Sequence, residues 1–311
     1  MVQQSIRRLA ALLTICLLAA GNLLAQTENT SPQNQELSLP KLSGKVQAYH
    51  YSEDARERAE VVASLVESAS RYFLTQLSFL PHVDVYILSP KDWKSVALKP
   101  LWEVYGFPHT INHTRLVVAS EDNPFWQSTL PAMDQLSEAQ RNMVKQAYGR
   151  SDGSMDMGLF FDLLAIHEMG HSYSSQGGLK MQRHWMNELF ANLLLHTLVA
   201  ERHPERLAAL EAYPQLVLSR DSGKMKYTSL ADFEKLYSNL GMGPENYVWY
   251  QCRLHQAAKE IYDAGGKQAL IRLWAALEKH QEDLTDEQLV QMLDREVGSH
   301  IASVFTDWDK K

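Results

Sequence analysis

The stretch Gly158–Tyr173, GLFFDLLAIHEMGHSY, decides how the rest of the chain is read. It reads as a helix. Phe160, Leu164, His167 and His171 then fall on one stripe, because residues three and four apart share a helix face. The stripe starts apolar and ends in two imidazoles that can face one ion. Glu168 stands beside them, where it can reach a water activated by that ion. His-Glu-x-x-His on a helix is the arrangement of zinc-dependent peptide hydrolysis, with the histidines as ligands and the glutamate as general base.

A catalytic zinc keeps three protein ligands and one open position. Downstream of the motif the candidates for the third ligand are His184, Glu188, His196 and His203. The metzincin pattern is excluded, since Ser174 and Gly177 stand where its glycine and third histidine belong. Gln176-Gly177-Gly178 breaks the chain, and a second helix is predicted from about His184 to Arg202. Two helices joined by a short loop face each other, so Glu188, early in the second helix, is expected to meet His167 and His171. The implied cofactor is a single Zn2+ ion.

These residues carry a resemblance. His167-Glu168-x-x-His171 followed by Trp185-x-Asn187-Glu188-x-x-Ala191 resembles the gluzincin metallopeptidases, most closely their aminopeptidase-N-like and peptidase MA-like branch. Every fixed position of the second motif matches, although the gap between the motifs is two residues shorter than the aminopeptidases usually have. The resemblance implies a zincin-like lobe, a peptide or protein substrate, and a tyrosine that stabilises the transition state. By its place between Glu188 and Gly265 that tyrosine is Tyr250, with Tyr247 one turn earlier as the alternative. The Gly-x-Met-Glu-Asn segment with which aminopeptidases hold a free amine is missing, so cleavage at a chain end is not implied. Asn192, one turn after Glu188, is expected to steady a ligand from behind.

The rest of the chain is consistent with such an enzyme. Of its 311 residues, 1–25 read as a signal peptide, with Arg7 and Arg8 ahead of an apolar run and a small residue at Ala25. The protein is therefore expected to be exported, to a periplasm or outside the cell. No later stretch is apolar and long enough to suggest a membrane span. The net charge of −7, more negative still without Arg7 and Arg8, argues against nucleic acid as a partner. Once Cys16 leaves with the signal, Cys252 is the remaining cysteine, so an intrachain disulfide is excluded.

The predicted fold class is α+β. Residues 26–46 read as a polar linker, 47–175 as a zincin-like lobe with a small mixed sheet and the motif helix, and 176–311 as a mostly helical lobe carrying Glu188. A helix is predicted over Asp54–Leu80, strands over Val83–Leu88 and Thr114–Ala119, and a loop over Gly106–His113. Thr114–Ala119 is taken as the edge strand that a substrate chain pairs with. Ser137 with Gln140, and Thr285 with Gln288, are predicted to cap helices reciprocally. Two other functions fit the same residues: a catalytically silent zinc-binding scaffold acting as a regulatory module, and an amidase acting on cell-wall peptides.

Overall fold

The computed structural model describes residues 38–99, 101–219, 225–238 and 241–310. The expected signal peptide, Cys16 and the first part of the linker lie outside them. The described residues form an α+β structure with one five-stranded mixed sheet and many helices.

The sheet runs β1 (Lys41–Leu42), β2 (Ala48–Tyr51), β3 (Asp84–Leu88), β5 (Arg115–Ala119), β4 (His109–Ile111). The three middle strands are parallel, and each edge strand is antiparallel to its neighbour. Three expectations are corrected here. Lys41–Leu42, inside the expected linker, pairs with β2, and the buried Glu67 carboxylate accepts the Val46 and Gln47 amides and so fixes the entry into β2. The segment expected to be a loop contains β4, which is the edge, while Thr114–Ala119 lies inside the sheet. The reason is visible in β5. Leu116 and Val118 face one core and Val117 and Ala119 the other, and a run apolar on both faces belongs to an interior strand. Three-residue β4 is too short to show a period of two, and Asn112 and His113, both left-handed, turn it tightly into β5.

Around the sheet come α1 (Arg56–Leu77), α2 (Pro90–Val96), α3 (Pro124–Gln127) and α4 (Glu138–Tyr148). The motif helix is α5 (Gly158–Gln176), followed by α6 (His184–Arg202) and α7 (Leu207–Leu218). Then follow α8 (Leu230–Leu236), α9 (Pro244–Gly265), α10 (Lys267–Lys279), α11 (Asp286–Met292) and α12 (Ser299–Thr306). Both reciprocal caps form, at Ser137 with Gln140 and at Thr285 with Gln288.

The apolar core does not divide at residue 175. One cluster joins an inner face of the sheet and α1 to α5, α6, α9 and α10; the other lies on the opposite face and takes Ala209, Ala212 and Leu216 from α7. The helical part thus packs on both sides of the sheet, and the site lies where the two parts share a core. No described helix is long and apolar enough to cross a membrane.

Candidate metal centre

Glycine on one helix and alanine on the other let α5 and α6 approach closely. A Cβ on Gly170 would stand 2.8 Å from the Ala191 Cα and 2.9 Å from its Cβ, closer than atoms pack. Trp185 is buried and stacks on Phe305, which seats the start of α6 in the core. Ser174 donates to the Asn187 side chain at 3.2 Å, a second tie between the helices. Each fixed position of Trp-x-Asn-Glu-x-x-Ala therefore has a structural task, and together they set where Glu188 arrives.

It arrives between the two imidazoles. Glu188 Oε2 lies 3.3 Å from His167 Nε2 and 3.8 Å from His171 Nε2. Nitrogen and oxygen ligands placed about 2.0–2.2 Å from a tetrahedral zinc stand about 3.4 Å apart. The Glu188 oxygen thus stands at about that spacing from each imidazole nitrogen. The imidazole rings are nearly perpendicular, with centroids 5.0 Å apart. Glu168 joins the group, since one ligand atom each from His167, Glu168 and His171 lie within 4.8 Å of one another. Two imidazole nitrogens with carboxylate oxygens beside them are a donor set that fits a divalent ion. The Nδ1 atoms of His167 and His171 are buried without a protein partner, so ring orientation is set by packing rather than by the bracing carboxylate or carbonyl usual for ligating histidines.

The two carboxylates differ in what holds them. Glu188 is buried, and Tyr237 at the end of α8 donates to its Oε1 at 2.5 Å while Gln251 on α9 donates to its Oε2 at 2.9 Å. Burial alone would raise its pKa, but His171, His167 and the Tyr237 hydroxyl outweigh that and hold it well below the usual carboxylate range. Glu168 is partly exposed at the site. Its Oε2 accepts the Thr110 amide of β4 at 3.2 Å. Burial, set against His171 and reinforced by the charge of Glu188, pushes its pKa up to about 7. The donor on β4 is held in place by His109, whose Nδ1 donates to the Phe107 carbonyl and whose Nε2 accepts the Leu98 amide. Burial keeps that histidine neutral, with a pKa of about 4.

Other expected residues fall elsewhere. The Tyr250 hydroxyl donates to the Ser229 carbonyl at 2.7 Å, its ring stacks on Trp308, and it is fully buried in the core. That placement corrects the role assigned to it. On α9 it is Tyr247, Gln251 and His255, spaced by four, that turn toward the histidines and line a cavity there. Asn192 donates to the Glu188 backbone carbonyl of its own helix rather than to a ligand side chain. His184 stacks on Tyr237, His203 meets Ser68, and His196 lies against His255, so none of the three competes with Glu188. Tyr237 and Gln251 were missed in the sequence. Each is far from Glu188 along the chain, and neither sits in a motif; only Gln251 had a hint, one residue from the expected tyrosine.

No family model, curated protein or solved structure matches the chain.

Proposed function

We propose that the protein is an exported zinc-dependent peptidase of gluzincin type, with His167, His171 and Glu188 as ligands and Glu168 as general base. On this reading the sheet and α5 make the zincin-like lobe, and the ligand from α6 comes from the helical part. The observation that carries it is Glu188 Oε2 at 3.3 Å and 3.8 Å from the two Nε2 atoms, with a second, differently held carboxylate beside them. A silent scaffold has no use for Glu168.

A zinc ion held there supplies a Lewis acid that polarises a carbonyl and makes a water nucleophilic near neutral pH. The chain's own groups do the rest. Glu168, aimed by the Thr110 amide, accepts the proton of the attacking water and delivers it to the leaving amine. Tyr237 and Gln251 keep Glu188 anionic and pointed at the histidines. Tyr247, on the cavity face of α9, takes the place that the resemblance gave to Tyr250 and steadies the developing oxyanion. β4, as the free edge of the sheet beside Glu168, is the strand that a substrate backbone meets.

The test uses zinc content and mass-spectrometric mapping of cuts in a defined peptide mixture. The wild-type chain is expected to hold one zinc and to cleave in a chelator-sensitive way. Glu168→Gln should keep the metal and lose activity by about 10³-fold. Zinc without cleavage by the wild type, or undiminished cleavage by Glu168→Gln, would overturn the proposal.

A further inference from the structure

A cavity of about 140 Å³ opens beside His167 and Glu168 and runs along the N-terminal half of α5. Its walls carry several aromatic rings, Phe107 and Phe125 before the motif helix, Phe160 and Phe161 on it and Tyr213 on α7, and the aliphatic Val248 on α9. The rings meet at tilted or edge-on angles, with Phe125–Phe161 centroids 5.4 Å apart and Phe160–Tyr213 centroids 5.2 Å apart. A chamber of this kind offers ring faces and ring edges together, which is how aromatic side chains pack. An engineered apolar cavity of about 150 Å³ takes up benzene, so this one has the capacity for a single six-membered ring.

Its charge pattern narrows the occupant further. Among the described residues no lysine or arginine lines it, and Glu168 stands at the end nearest the histidines. His255 lines it as a neutral group, because burial, then His196 and His167, lower its pKa to about 3. Glu168 at that end is the one charged side chain among the lining residues, and the rest of the wall is neutral, so an uncharged ring matches most of it.

Resting on the peptidase reading, we propose that this chamber is the specificity pocket of the enzyme and receives a phenylalanine side chain flanking the scissile bond. Two measurements separate this from the reading beneath it. The first needs no catalysis: toluene, the phenylalanine side chain as a free molecule, is titrated into the full chain and followed by NMR. Saturable binding is expected, weakened at least 10-fold by Val248→Phe. No saturable toluene binding, or binding unchanged in a Val248→Phe protein that melts cooperatively, overturns the proposal. The second is kcat/KM of the zinc-loaded chain on peptides carrying Phe, Leu, Ala, Trp or Lys on either side of the cut. Phe is expected to exceed Ala by about 100-fold on one side, and Val248→Phe should erase that preference. Cleavage indifferent to the side chain overturns the pocket and leaves the peptidase standing. Toluene bound in the cavity of a zinc-loaded chain that cleaves nothing overturns the peptidase and with it the pocket's role in cleavage.

Discussion

The rim of the site at β4 and its floor at α8 and α9 each hold a glutamate, and they hold it oppositely. At the rim, Glu168 accepts one backbone amide and is otherwise pressed by burial toward the neutral form. On the floor, Glu188 accepts a tyrosine hydroxyl and an amide while facing two imidazoles, and is kept ionised. The same side chain thus becomes a proton acceptor of intermediate strength in one place and a fixed anion in the other. Neighbours set the two roles, a division seen wherever paired carboxylates do different work.

Removing the floor carboxylate should have the largest effect on metal. Glu188→Gln is expected to weaken zinc binding at least 100-fold by calorimetry, while Glu168→Gln leaves it within a small factor. Equal losses in the two variants would break the distinction between rim and floor. Next comes Tyr237→Phe. It removes the hydrogen bond to Glu188 Oε1 and should cost 10- to 100-fold in metal affinity or activity; unchanged affinity would show that Gln251 and the imidazoles suffice to hold Glu188.

Gly170→Val sharpens the same comparison from the side of packing. The added Cβ meets the α6 backbone at Ala191, so a loss of about 1–3 kcal/mol in denaturant unfolding is expected, together with weaker zinc binding. Full stability with normal zinc affinity would mean that α6 need not lie so close. The smallest effect is predicted for Tyr250→Phe. It gives up one hydrogen bond to the Ser229 carbonyl, about 1 kcal/mol of stability, and should leave kcat/KM unchanged. Tyr247→Phe, on the cavity face of the same helix, should lower kcat/KM about 100-fold. The reverse ranking of these two would restore Tyr250 to the site.

How much was legible depended on how local the signal is. α5 and α6 were readable because helical spacing puts His167 and His171 on one face and marks out a second helix starting at His184. Their meeting was readable too, since a short connection leaves two helices few ways to pack. β4 was not, because three residues carry no period, and without β4 the strand β5 was taken for the edge although LVVA, apolar on both faces, suits an interior strand. On α9 the helix was legible but its rotation was not. A shift of one residue, about 100° around the axis, separates Tyr250 in the core from Gln251 on the Glu188 carboxylate.

His167, Glu168 and His171, with Glu188 opposite them, could be picked out from the chain alone, because these groups lie on two consecutive helices whose periodicity is a local property. The tertiary structure alone decided which residues stand around them: Tyr237 and Gln251 on Glu188, Thr110 on Glu168, and the aromatic chamber beside His167. Those neighbours come from segments distant along the chain, and only the packing of a shared core sets which face each segment turns inward.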